Sequence, residues 1–275
     1  MLGNISLGRY YPADSFLHRL DPRTKLFGVI VMMTLIFLAQ EPIAMIFLIV
    51  LTGVVIKLSQ VPFKQVVISL RPILFILVFA FVLNLFTGSG NVWLELGPLE
   101  VTDQGVWTAI RMAVRLTLLI MNTTLLLTLT TTPVMVADAM EKLLSPLRRI
   151  GFPAHEMAMM MSIALRFVPT LLEETEKIMK AQSSRGADYD TGGLISKARG
   201  LVSVLIPLFV SAFKRAEDLA VAMEARCYRG GDGRTRLRSL QYHKIDLYFL
   251  LFLLFTAASV LILQYGSLVS FASFV

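Results

Sequence analysis

The sequence predicts an all-α integral membrane protein, with about five transmembrane helices joined to long amphipathic helices on the cytoplasmic side. Three observations carry this expectation. Hydrophobic residues make up 56% of the 275-residue chain and charged residues only 16%, where a soluble domain carries about a quarter charged. Apolar runs near the roughly 20 residues that cross a bilayer fill the first part of the chain and return at its C-terminal end. The 26 Lys and Arg outnumber the 19 Asp and Glu and are unevenly distributed. A basic surplus can serve nucleic acid, anionic lipid or the retention of positive loops in the cytoplasm. In a chain this apolar the last is the default, and no nucleic-acid partner is expected.

The first apolar run covers 26–39, ends at Gln40-Glu41-Pro42, and gives way to a second over 43–58. Both are short, and flanking side chains or local thinning of the bilayer would accommodate them. They are read as two short spanning helices rather than a re-entrant hairpin. Val61-Pro62-Phe63-Lys64-Gln65 opens an interfacial stretch, and a third span follows over about 68–86, with Pro72 near its start. A polar loop is expected over 87–104, with Gly88-Ser89-Gly90 as a turn. The fourth span covers about 105–131 and ends in a threonine run before Pro133; the last covers 247–275. The chain therefore reads as an N-terminal membrane region (1–133), a region without a transmembrane stretch (134–246) and a C-terminal transmembrane helix (247–275).

Within 134–246 the apolar residues recur at helical spacing. Met157, Met160, Met161, Ala164 and Val168 begin a broad stripe, and Glu173, Glu174, Glu176, Lys177 and Lys180 lie beyond it. A second helix is predicted over 194–226, apolar first and charged from Lys214 onward. Helices packed on one side and wet on the other show this pattern. Pro169 and Pro207 are expected to kink or divide them. This region holds seventeen of the 26 Lys and Arg, whereas the loops after the first and third spans hold none. With five spans every basic segment falls on one side. The N-terminus and 134–246 are then cytoplasmic and the C-terminus is outside.

Catalysis is not expected. The phosphate-cradling Gly-x-x-x-x-Gly-Lys-Ser/Thr motif is absent, and no histidine falls in a predicted span. His18, His155 and His243 lack metal-ligand spacing, and Cys227, the single cysteine, allows no internal disulfide. The N-terminus does not read as a cleavable leader, because its first apolar run begins only at Leu26 after a charged stretch. Glu173-Glu174 is read as a solvated helix face. Arg111 and Arg115 are four apart and share a face of the fourth span. Arginine at membrane depth is often functional, but a structural or snorkelling role is favoured here. Asn84 and Asn122 are read as interhelical hydrogen bonders.

A more specific feature lies at the ends of the two amphipathic helices. Each ends in an arginine between small residues, Ser184-Arg185-Gly186 and Ala225-Arg226-Cys227. Each has a glutamate nine residues earlier, Glu176 and Glu217, and runs into a break, Gly186-Ala187-Asp188 or Gly230-Gly231-Asp232. Small neighbours let a partner close around a guanidinium, whose planar fork suits carboxylates and carbonyls. Two such tips, 41 residues apart, suit two similar receptor grooves. Compensation of the helix dipole is the competing reading, and the spacing alone leaves both open.

At these residues the sequence resembles the transmembrane T component (EcfT) of energy-coupling factor transporters, the micronutrient importers of prokaryotes. The resemblance runs through most of the chain and rests on Leu20-Asp21-Pro22-Arg23-Thr24-Lys25, on Leu165-Arg166-Phe167-Val168-Pro169 and on both tips. The family signature is typically Ala-Arg-Gly, occurring twice; here Ser184 replaces the first Ala and Cys227 the second Gly. The resemblance implies that the long helices are coupling helices in the cell membrane of a prokaryote. Arg185 and Arg226, with Ser184, Gly186, Ala225 and Cys227, would each dock on one of two ABC-type ATPase subunits. Those partners would bind ATP and Mg, with no cofactor in this chain. A substrate-binding S component would cover other faces. Met157, Met159, Met160 and Met161 are assigned to that interchangeable surface, because unbranched thioethers repack cheaply; ordinary core filling is the alternative. A self-contained secondary transporter or channel is the rival function.

Overall fold

The computed structural model describes residues 10–87, 91–96, 99–186, 193–230 and 241–272. The Gly88-Ser89-Gly90 turn, the breaks at Ala187-Asp188 and Gly231-Asp232, and the last three residues of the C-terminal run lie outside the described residues. The described chain falls into two compact units, one of residues up to 139 together with 240 onward, the other of residues 140–239.

The first unit begins with α1 (Pro22–Leu38) and α2 (Pro42–Ser59). Asp21 caps α1 by accepting from the Arg23 backbone N–H at 2.9 Å, and a proline opens each helix. Proline fits a first turn, whose N–H would be unpaired anyway, and it pushes the preceding residue out of the helical region. The interruption at Pro42 therefore yields two separate helices, as predicted. α3 (Phe63–Leu70) passes through a 3-10 turn over Arg71–Ile73, which holds Pro72, into α4 (Leu74–Leu85).

The expected polar loop contains two antiparallel strands, β1 (Val92–Leu96) and β2 (Leu99–Thr102). Alternating apolar residues on either side of Gly97-Pro98 are a hairpin signal, and the loop reading overlooked it. α5 (Asp103–Thr123) follows, with the Thr102 hydroxyl accepting from the Gly105 N–H at 3.2 Å. Gly105 permits close passage of α4, since a Cβ there would lie 2.5 Å from the Leu85 carbonyl oxygen. α5 continues as a π-helical turn over Thr124–Leu129. α6 (Pro133–Leu144) carries the chain out of this unit, and α9 (Lys244–Ala272) returns to it.

Among the described residues four stretches are long and apolar enough to cross a membrane: Pro42–Ser59, Phe63–Leu85, Asp103–Leu129 and Lys244–Tyr265. The first predicted span, α1, has only 17 residues. It is nevertheless bonded to α9 near both ends. The Asp21 N–H donates to Asp246 Oδ1 at 2.8 Å, and the Gln40 and Glu41 N–H groups donate to Gln264 Oε1 at 3.0 and 3.2 Å. α1 therefore runs parallel to α9 through much the same depth. Gly28 lies where they touch, its Cβ position 2.7 Å from the Phe249 ring. The core gathers Ile36, Leu48, Leu125 and Val260 from α1, α2, the π turn and α9.

The second unit consists of the end of α6, a 3-10 segment over Ser145–Ile150, α7 (Ala154–Ser184) and α8 (Leu194–Ala225). Neither Pro169 nor Pro207 divides its helix. A mid-helix proline removes one hydrogen bond, and here the turns on either side carry the helix through it. Few described side chains of α7 and α8 are buried, among them Ala154, Ala158 and Val204. Large apolar side chains stand exposed along α8, including Leu201, Ile206, Phe209 and Phe213.

Candidate functional site

The two arginine tips adopt the same local structure. Arg185 has φ −92° and ψ 5°, and Arg226 has φ −91° and ψ 12°. Each is the residue at which its helix stops. The next residue is left-handed in both cases, Gly186 at φ +88° and Cys227 at φ +53°. The Gly186 N–H donates to the Ser183 carbonyl at 3.0 Å, and the Cys227 N–H to the Glu224 carbonyl at 2.8 Å. At the second tip the Tyr228 N–H also donates to the Met223 carbonyl at 3.0 Å, which completes a Schellman stop. The glycine of the signature is thus explained: this residue needs positive φ, where a Cβ is strained. Cys227 accepts that strain.

Ser184, Arg185, Gly186, Ala225, Arg226 and Cys227 are all exposed. Among the described residues neither guanidinium has a hydrogen-bond or ion-pair partner. The glutamates nine residues upstream do not supply one. Nine residues are two and a half helical turns, which places Glu176 and Glu217 on the opposite face from Arg185 and Arg226.

Glu174 departs from the expected solvated face. It reaches across to α8, where Glu174 Oε1 accepts from the Ser211 hydroxyl at 2.6 Å and Oε2 accepts from Arg215 Nη2 at 2.5 Å. The Ser211 hydrogen bond, then that of Arg215, holds the Glu174 carboxyl below its usual pKa. Small Ala212 and Ala216 share this stretch of α8 and line a small apolar cavity with Ile163, Phe167 and Leu171 of α7. Glu174 and Arg215 are 41 residues apart, as are Arg185 and Arg226. Only the path of α8 shows that Ser211 and Arg215 are the side chains brought to Glu174.

Met157, Met160 and Met161 are exposed on α7, and Met159 is half-buried. Three of the four therefore lie outside any core of their own unit. In the membrane unit, Arg115 Nη2 donates to the Ala39 carbonyl at 3.0 Å, capping α1, while Arg111 is exposed. Asn122 bridges helices as expected, donating to Thr52 Oγ1 at 2.9 Å. Asn84 does not; it donates to the Ala80 carbonyl of its own helix, one turn back on the same face.

Sequence reasoning missed the role of the entry motif. Lys25 is almost fully buried, and its Nζ donates to the Thr130 carbonyl at 2.8 Å and to Thr131 Oγ1 at 3.3 Å. Asp246, also buried, accepts from the Asp21 and His243 N–H groups, both at 2.8 Å. The Arg23 guanidinium lies over the Tyr242 ring, 5.2 Å from its centroid. Leu20-Asp21-Pro22-Arg23-Thr24-Lys25 is thus a knot joining the start of α1, the end of the α5 segment and the start of α9.

Residues 13–237 match the CbiQ family model, described as cobalt transport protein. Among similar curated proteins, the energy-coupling factor transporter transmembrane protein EcfT of Ruminiclostridium cellulolyticum is 51% identical over 247 residues, covering 90% of this chain and 92% of the relative. EcfT of Thermosediminibacter oceani is 50% identical over 243 residues, 88% of this chain and 91% of its own. EcfT of Bacillus subtilis is 45% identical over 265 residues, 96% of this chain and all of the relative. With membrane-spanning helices, two arginine-capped helix ends and relatives aligned along nearly its whole length, the chain belongs to the CbiQ family and, within it, to the EcfT transmembrane proteins of energy-coupling factor transporters.

Proposed function

We propose that this transmembrane subunit transmits ATP-driven motion from two ABC-type ATPase subunits to a substrate-binding S component, for uptake of vitamins or other micronutrients. The observation that carries the proposal is the matched pair of exposed arginine caps, each followed by a left-handed residue. Two identical presentations suit two similar grooves. ATP and Mg belong to the ATPase partners. The exposed apolar faces of α7 and α8, with Met157, Met160 and Met161 at one end, suit an S component, because apolar surface on this scale calls for a partner. The parallel course of α1 and α9 suits an N-terminus and a C-terminus on opposite sides of the membrane, and the concentration of Lys and Arg in 134–246 is the reason for assigning that region and the N-terminus to the cytoplasm.

Purification of the chain from its own cells tests the reading. Two ATP-binding polypeptides should accompany it, and Arg185→Glu or Arg226→Glu should weaken their capture. Loss of a desolvated charge contact amounts to about 2–5 kcal/mol. Normal assembly and uptake with Arg226→Glu would refute the docking assignment, and absence of ATPases from the wild-type preparation would favour a self-contained transporter. Replacing Met157, Met159, Met160 and Met161 by Leu and Ile at constant volume should slow exchange among S components. Unchanged exchange would remove the methionines from that surface.

A further inference from the structure

The contact between α7 and α8 is not a simple hairpin folded back from their connection. Glu174 lies ten residues before the end of α7, yet it meets Ser211 and Arg215, seventeen and twenty-one residues into α8. Ile163, Phe167 and Leu171 of α7 share a cavity lining with Ala212, Ala216 and Leu219 of α8. The two helices therefore meet well inside their lengths, and each tip lies on an arm that runs on beyond the Glu174 contact. Arg185 follows Glu174 by eleven residues and Arg226 follows Arg215 by eleven. At 1.5 Å per residue each arm reaches about 16 Å. The polar clamp is thus equidistant from both tips.

The surroundings of the clamp are loosely filled. A cavity of about 410 Å³ opens on one side, lined by Thr170, Glu173, Lys177, Ile178 and Ala181 with the clamp pair. An apolar cavity of about 120 Å³ lies beside Arg215 on the other, lined by Ile163, Phe167, Leu171 and Leu219. A crossing held by interdigitated side chains would resist rotation. Here a directional contact to both carboxylate oxygens joins the helices beside their apolar side chains, and open volume flanks it. Charge-assisted hydrogen bonds are directional and fix the geometry of the groups that they join.

We infer that Glu174, Ser211 and Arg215 are positioning residues that pin the crossing of α7 and α8 and hold the two arginine tips at equal reach. The inference rests on the docking role proposed above for Arg185 and Arg226. A displacement at one tip is then passed to the other arm through the pinned crossing rather than dissipated as sliding.

The test uses the full chain assembled with its partners. Spin labels are placed at Lys180→Cys and Val221→Cys, one on each arm, with Cys227→Gly so that no other thiol of this chain reacts, and the chain is labelled before its partners are added. Electron–electron resonance then reads the distance distribution between the arms. Glu174→Ala and Arg215→Ala should broaden that distribution, and uptake per ATP hydrolysed should fall at least about fivefold, the lower range of energetic coupling between sites. ATPase capture should persist relative to the labelled Cys227→Gly parent, because Glu174 and Arg215 each lie eleven residues from a tip. The charge swap Glu174→Arg with Arg215→Glu should restore both the narrow distribution and most of the uptake. Should the alanine variants not fold, Glu174→Gln keeps the Ser211 bond, loses only the charge, and is expected to show a smaller broadening. Unchanged distances and unchanged uptake per ATP in these variants would overturn the inference, as would a swap that folds and captures ATPases but restores neither. Absence of ATPases from the wild-type preparation would instead overturn the docking role, while the label distances on the purified chain would still report on the clamp.

Discussion

Cys227 shows how a single residue carries both a signature and its departure. It sits at φ +53° immediately after the α8 stop, where Gly186 stands after α7. An L side chain held left-handed costs roughly 1 kcal/mol relative to glycine. Cys227→Gly should therefore raise the thermal midpoint of the purified chain, by about 1 kcal/mol of stability. Gly186→Ala should lower it by a similar amount. A Cys227→Gly chain that melts earlier than wild type would show that the thiol makes a contact worth more than the strain. The sequence displayed the small-Arg-small pattern and the missing glycine. The reason for the glycine became visible only with the backbone, because positive φ is set by how the helix stops and not by the residue types around it.

Helices α7 and α8 were legible as elements from apolar periodicity. Both stop at the expected arginine, α8 also starts at the expected Leu194, and both run through a proline without dividing. Glu174 was misread, because a glutamate among other charged residues looks solvated until a second helix brings Ser211 and Arg215 to it. Its carboxyl is held below the usual 4.5, first by the Ser211 hydrogen bond and then by that of Arg215. A depressed folded pKa means that the unfolded chain binds the proton more readily. The clamp's contribution is therefore full above the usual value and is lost as pH falls through the lowered one. The difference in thermal midpoint between wild type and Glu174→Gln should be constant near neutrality and shrink below pH 4.5. A difference that stays constant down to pH 3 would show that ionisation of Glu174 plays no part in holding the helices.

The membrane unit as a whole depends on the knot at its entry. Asp246 receives two backbone N–H groups, one from the start of α1 and one from the approach to α9, across more than two hundred residues of sequence. Asp246→Ala leaves both donors without that acceptor, and a buried donor stripped of its partner costs about 1–3 kcal/mol. The thermal midpoint should fall accordingly, whereas Asp14→Ala, outside the knot, should have little effect. An unchanged midpoint for Asp246→Ala would mean that α9 is held by its apolar contacts alone. By itself the sequence determined the class of the protein, the boundaries of most helices and the two tips, because apolar runs, prolines and charge asymmetry act locally or through the bilayer. Only the tertiary structure decided that Lys25 is buried against Thr130, that Gln264 ties α9 to the turn between α1 and α2, and that Glu174 clasps α8. Each of those contacts joins residues far apart in the chain, and no local pattern records which distant backbone or side chain will arrive to satisfy a polar group.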